Sequence, residues 1–354
     1  MNQYLSQKIK VVSLFAMIMV VFLHSYNIDI KQGQNILVFQ KDFNWFLQNF
    51  ISNGLTRIAV PLFFCISGYL FVLNEKYEIS EFILKIEKRM RTLVVPYLFW
   101  SVFGILLYLL LQNLPYSQGF FTKKQIVDYN FSEWIDAIFV NPIPYQLWFL
   151  RDLIIMVIIS PLIYFLVKKL KLFYLAVIFL FWFFNRDSIF LSSEGLLFFS
   201  TGMFLKMYSI PIQQNISKRK QSVFIFSLWI LVLLIKTIVR YYEYSDILDI
   251  VLLKLSILIG IVAFWNVYDI GYSSLFKNKI FQKMANYSFF IYVFHEPMLT
   301  IIKKGVFALL PKISLSYLIV YFIAPILAII ICIILSKLLK SYLLYPYKII
   351  TGNR

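Results

Sequence analysis

VVSLFAMIMVVFLHSYNI, residues 11–28, decides the fold. The run holds no lysine, arginine, aspartate or glutamate. Helices that cross a ~30 Å hydrocarbon core need ~17–25 mostly apolar residues, and this run meets that length. It follows Lys8 and Lys10, as the h-region of a secretory signal would. It is nevertheless longer than a typical h-region and no small-x-small cleavage site follows, so we expect a retained helix.

The pattern recurs along the chain. Of the 354 residues, 61% are hydrophobic and 14% charged, against ~25% charged in an ordinary soluble domain. Apolar runs separated by short charged stretches imply an all-α, polytopic integral membrane protein with about ten transmembrane helices. The expected spans are 9–28, 55–74, 92–113, 146–167, 172–185, 195–210, 222–240, 248–267, 285–302 and 315–336. The fifth and sixth are short. We find neither an internal repeat nor a linker of biased composition, so residues 1–354 are expected to form a single membrane-embedded domain with its core at about 8–340.

The net charge of +17 comes from basic residues that recur between apolar runs, not from one soluble patch. We therefore read it as topology and expect no nucleic-acid partner. With the amino terminus inside, most of the 34 Lys and Arg fall in inner segments, with only Glu75, Glu78, Glu81, Glu87 and Asp269 as acids there. An even span count puts both termini in the cytoplasm, consistent with the basic tail of Lys337, Lys340, Lys348 and Arg354. The expected location is the plasma membrane, multi-pass. The longest outer loop, 114–145, is too short for a separate catalytic domain. Cys65 and Cys332 lie within apolar runs without ligand spacing, so neither a disulfide framework nor a metal site is expected.

Residues 79–91 carry Lys85, Lys88, Arg89 and Arg91 among Phe82, Ile83, Leu84 and Ile86. They read as an amphipathic helix on the inner surface. Anchoring to anionic membrane lipid and binding an anionic ligand are equally compatible with it.

Ionisable residues inside spans are costly and are functional candidates by default. Helical rise places His24 about 21 Å beyond Lys10 and His295 about 18 Å beyond Lys283, both toward the outer face. On inward-running helices, Arg57 lies about 27 Å from Glu75, and Arg151 and Asp152 about 25 Å from Lys168. Glu296 adjoins His295. Lys236 and Lys254 fall at about 22–24 Å by the same count; together with Arg240 they read as side chains snorkelling to the interface. Arg57 shares that ambiguity. Arg151 and Asp152 are adjacent and point about 100° apart on an ideal helix, so they need not pair. The two histidines are the only ones in the chain, and both sit in spans. Imidazole serves as a general base or a nucleophile near neutral pH, with a carboxylate such as Asp152 or Glu296 to orient it. Arg57 or Arg151 suits an oxyanion or a phosphate.

Five stretches in order give these residues a common context: VVFLHS (20–25), RIAVPLFFCISGYL (57–70), KRMRTLVVPYLFW (88–100), LWFLRDL (147–153) and SFFIYVFHEP (288–297). Together they resemble the acyltransferase-3 family of multispan O-acyltransferases. The resemblance covers nearly the whole chain. It implies an enzyme that moves an acyl group, commonly acetyl from a cytoplasmic acyl-CoA, onto a hydroxyl of a sugar, cell-surface polysaccharide or lipid-linked glycan. Acyl-CoA would be a co-substrate; no permanently bound cofactor is expected.

His24 matches the first-span histidine and is the foremost catalytic candidate, with His295 second. Arg57, Trp148, Arg151, Asp152 and Glu296, within or beside the matching motifs, are candidates for binding the acceptor; Lys88, Arg89 and Arg91 are candidates for binding the acyl donor. Many members carry an arginine eleven residues before the histidine, where this chain has Ser13; Lys10 lies nearly one turn earlier. Members with extra soluble domains suggest a separate glycan-synthesis partner here, or that the chain works alone. Direct transfer and a covalent acyl relay both remain open. The rival readings are a glycan transporter or flippase, since buried His, Arg and Asp also build relays, and a silent subunit of an export complex.

Overall fold

The computed structural model describes residues 3–28, 31–32, 35–36, 41–72, 79–115, 124–187, 191–212, 219–271, 279–311 and 313–353. Glu75, Glu78 and Arg354, used above as topological markers, lie outside them. Apart from a two-residue antiparallel pairing of Lys31–Gln32 with Asn35–Ile36, the regular structure is helical.

The described part of each of the ten apolar runs is mainly helical. Among the described residues, six stretches are long and apolar enough to cross a membrane: Gln3–Ser25, Phe43–Phe71, Glu81–Asn113, Arg219–Tyr242, Asp246–Ile270 and Ser314–Tyr342. The fourth run forms α6 (Trp148–Ile158) and α7 (Ser160–Leu170), bent by 66° where Pro161 follows the junction. The fifth is short, α8 (Leu172–Phe183), and the sixth is α9 (Ser193–Met207). The ninth is α13 (Ser288–Leu309), broken within. The inner-surface helix expected at 79–91 is continuous with the third span as α4 (Ile79–Asn113). At ~1.5 Å per residue α4 is about 52 Å long.

α1 (Gln3–Ser25) occupies the centre, touching α2 (Phe43–Ser52), α3 (Ala59–Phe71), α11 (Asp246–Gly271), α12 (Lys279–Ala285), α13 and α14 (Ser314–Tyr342). Around it the closest helix pair is α3 with α9. A Cβ on Gly68 would lie 2.0 Å from the Phe199 carbonyl oxygen, and one on Gly202 would lie 1.9 Å from that of Cys65. Backbones this close require glycine, the usual means of joining helices where lipid offers no hydrophobic drive.

Three charges behave differently from expectation. Lys8, read as a flanking charge, is fully buried and pairs with Asp269 at 2.6 Å. Asp269 is thus a packing partner and not a loop acid. Lys236 and Lys254 do not snorkel: they are 2% and 7% exposed. Lys236 donates to the Asn53 carbonyl at 3.1 Å and lies 3.5 Å from Asp249, while the Lys254 ammonium sits 4.4 Å from the Trp182 ring centroid. α10 (Arg219–Tyr242) and α11 pack against the rest of the bundle, so these ammonium groups find partners inside it, at less cost than reaching the interface. Arg240, half exposed and paired with Asp249 at 3.1 Å, does sit at a rim.

Candidate active site

His24 occupies the last turn of α1, where carbonyl groups lack intrahelical donors. Lys303 of α13 donates to the His24 carbonyl at 2.7 Å, a cation placed at the negative end of the helix. The following residues are pinned as well. Ser25 donates to the Tyr321 carbonyl at 2.8 Å, and the Asn27 amide to the Tyr317 carbonyl at 2.9 Å. The histidine is therefore presented from a fixed helix end.

α13 brings the second half of the site. Its backbone is extended at Glu296 (φ −104°, ψ 133°), directly before Pro297. A residue preceding proline disfavours the helical region, and proline has no N–H to give to the carbonyl four residues back, that of Val293. Gln146 supplies the missing donor: its side-chain amide reaches the Val293 carbonyl at 3.2 Å and the Glu296 carbonyl at 2.9 Å. Tyr292 in turn donates to the Gln146 carbonyl at 2.8 Å. The turn at 145–147 is thereby locked onto the break in α13.

This lock delivers Tyr145. Its hydroxyl lies 2.8 Å from His24 Nδ1 and 3.4 Å from Glu296 Oε1. The second distance is long for a hydrogen bond, whereas Thr300 holds the other carboxylate oxygen at 2.8 Å. Tyr145 has one proton to give. Given to Glu296, it leaves the phenolic oxygen to accept Nδ1–H from His24 and makes Nε2 the basic nitrogen; given to Nδ1 across the shorter contact, it leaves the histidine proton on Nε2. The His295 ring stacks on that of His24, with centroids 5.3 Å apart and planes at 29°. His295 Nδ1 lies 3.0 and 2.9 Å from the carbonyls of Ile291 and Tyr292, which only accept, so the proton is on Nδ1. Its Nε2 is buried with no partner among the described residues.

A cavity of about 470 Å³ runs from this cluster along α1. His24, Gln146 and Trp148 line one end; Lys10, Arg89 and Asn286 line the other. Ser13 lies on its wall between them, so the position where many family members carry arginine faces open space. Lys10 to His24 spans about 21 Å along the helix.

The candidate residues therefore separate. His24, Trp148 and Arg89 line the cavity, and His295 and Glu296 adjoin His24. Lys88 and Arg91 are exposed and do not line it; Arg91 pairs with Glu87 at 2.7 Å. Arg57 is exposed, donates to Asn53 at 2.8 Å, and forms no ion pair among the described residues. Arg151 and Asp152, which the ideal-helix argument left free to pair or not, do pair, at 2.8 Å, because a long guanidinium curls back over one peptide. Arg151 also donates to the Val140 carbonyl at 2.5 Å, and Asp152 accepts from the Ser192 backbone at 3.1 Å, so this buried pair ties segments together and does not line the cavity. Tyr145, Gln146 and Lys303 went unnoticed in the sequence. Tyr145 and Gln146 directly precede LWFLRDL, and Lys303 lies two turns after Glu296 on one helical face; these are faint signals.

Residues 8–337 match the acyltransferase domain family. The succinoglycan biosynthesis protein ExoH of Rhizobium meliloti (strain 1021) is 25% identical over 322 residues, covering 87% of this chain and 82% of that protein. No solved structure matches the chain. The family match spans every helix that contributes to the cavity and its histidine pair, and the chain belongs to the acyltransferase-3 family of membrane-embedded acyltransferases.

Proposed function

We propose that the protein transfers an acyl group, acetyl in the simplest case, from acyl-CoA to a hydroxyl of a saccharide, in the assembly of a surface polysaccharide or lipid-linked glycan. The observation that carries this reading is the cavity joining a basic mouth to His24. Arg89 and Lys10 at the mouth suit the phosphates of a nucleotide-bearing donor. The ~21 Å between Lys10 and His24 is comparable to an extended pantetheine arm, which threads the cavity and presents its thioester near the histidine. ExoH, named for succinoglycan biosynthesis, supports a saccharide acceptor.

In this mechanism His24 Nε2 takes the proton of the acceptor hydroxyl as its oxygen attacks the thioester carbon. The C–S bond breaks as the ester forms, and the proton passes to the departing CoA thiolate. Tyr145, backed by Glu296, holds His24 in the required tautomer, and the stacked His295 fixes the plane of the ring. Trp148 serves the acceptor at the His24 end of the cavity, Arg57 lies outside the lining, and Arg151 and Asp152 brace the elements around it. Arg89 binds the donor, with Lys88 and Arg91 adding positive field at the mouth.

Ten crossings with both termini cytoplasmic place the basic mouth on the side where acyl-CoA resides and His24 toward the outer face of the plasma membrane. Reporter fusions at the loops and at the C-terminus test that topology.

The functional test uses the purified chain in vesicles with acetyl-CoA and a saccharide acceptor, following CoA release and acyl incorporation by mass spectrometry. Acyl transfer abolished by His24→Ala supports the proposal. Gradient-driven saccharide uptake without CoA release overturns it.

A further inference from the structure

A second cavity, of about 320 Å³, lies on the opposite side of α1 and α3 from the first, with Ile9 and Ile66 in the wall between them. It lies beside the glycine-mediated contact of α3 with α9, where Gly202 approaches Cys65 and Tyr69. Cys65 and Tyr69 of α3, Leu205 of α9, and Val262 and Trp265 of α11 line it. Val262 is 49% exposed and Ile210, also in the lining, 38% exposed, so the cavity faces the lipid-facing surface of the bundle.

Asn266 also lines it, but most of the lining is apolar; apolar cavities stay dry, and one of ~150 Å³ accepts benzene, so this volume takes roughly a dozen carbon atoms. Immersed in a bilayer, the nearest material to fill it is an acyl chain. A tail entering it only exchanges one hydrocarbon setting for another, with no hydrophobic gain. Selection therefore falls to the headgroup. The Lys206 ammonium lies 5.4 Å from the centroid of the Tyr69 ring, which lines the cavity.

We infer that this cavity is a binding site for one tail of an anionic phospholipid, with Lys206 holding the phosphate. The site is separate from the acyl-transfer cavity and does not depend on the reaction proposed above.

Cys65 provides the probe, because Cys332 is completely buried elsewhere and is removable as Cys332→Ser. The full chain carrying Cys332→Ser is placed in vesicles of phosphatidylcholine, with and without phosphatidylglycerol, and Cys65 is modified by an uncharged, lipid-soluble thiol reagent. Phosphatidylglycerol is expected to slow the modification about fivefold, the effect of one lysine near an anionic headgroup. Lys206→Gln removes that slowing, which a general change in the bilayer would not do. Leu205→Trp slows the reaction in both vesicles by filling the space. Equal rates in the two vesicles, slowing that survives Lys206→Gln, or a Cys65 that is unreactive in phosphatidylcholine until the chain is denatured would each overturn the inference.

Discussion

His24 and Tyr145 stand 121 residues apart in sequence, yet the tyrosine hydroxyl lies 2.8 Å from the histidine Nδ1. The contact joins the end of the first helix to a turn that is itself fastened to the break in α13. Three distant segments thus fix one imidazole.

In the proposed mechanism His24 is the base and Tyr145 its orienting partner. His24→Ala is expected to remove acyl transfer, a loss of about 10²–10⁴-fold for a general base. Tyr145→Phe keeps the ring and loses the hydroxyl, so kcat falls by a smaller factor, with the acyl-donor KM little changed. Steady-state kinetics of CoA release check both; a Tyr145→Phe enzyme with normal kcat would remove tyrosine from the mechanism.

Gln146 substitutes for the hydrogen bond that Pro297 cannot make. Gln146→Leu strands two buried carbonyls, at about 1–3 kcal/mol for each unsatisfied group. A lowered Tm together with reduced kcat is expected, because the break in α13 also carries Glu296. Unchanged thermal stability in detergent would show that water satisfies those carbonyls instead.

Of the three basic residues assigned to donor binding, only Arg89 lines the cavity. Arg89→Gln is expected to raise the KM for acyl-CoA by about tenfold, the loss of one charge-assisted contact, and to leave the KM for the acceptor alone. Arg91→Gln, at an exposed ion pair, changes it by twofold or less. Equal effects of the two substitutions would place the donor on the surface of the helix and not inside the cavity.

Asp152 and Arg151 are expected to matter for stability before chemistry. Asp152→Ala leaves a largely buried guanidinium without its partner and should cost about 3–5 kcal/mol, whereas replacing both by apolar residues costs less. Thermal melts of the single and double variants read this directly. A double variant less stable than Asp152→Ala contradicts the assignment.

The sequence by itself determined that this is a helical membrane protein, because runs such as residues 11–28 have no other solvent in which to fold. It also located His24, His295 and Glu296, since an ionisable residue inside a span stands out against its surroundings. Depth arithmetic put the histidines in one layer, and the structure stacks them. The same arithmetic could not tell Lys236 and Lys254, which are buried among partners, from side chains reaching for the interface. Depth fixes height along a helix and leaves its rotation free. Whether Arg151 and Asp152 pair was undecided for a related reason: an ideal helix gives the direction of Cα–Cβ bonds, and a long side chain need not follow it.

Only the tertiary structure decided which polar residues face one another. Tyr145, Gln146 and Lys303 have ordinary neighbours in sequence and acquire roles only in the fold: Gln146 through the carbonyls freed by the break at Glu296, which brings Tyr145 to His24, and Lys303 through the His24 carbonyl at the end of α1. The cavity past Ser13 is likewise a property of how α1, α3, α4 and α13 are set around a shared space. Hydrophobic length is written residue by residue along one segment; the rotation of each helix about its axis is settled by packing against all the others.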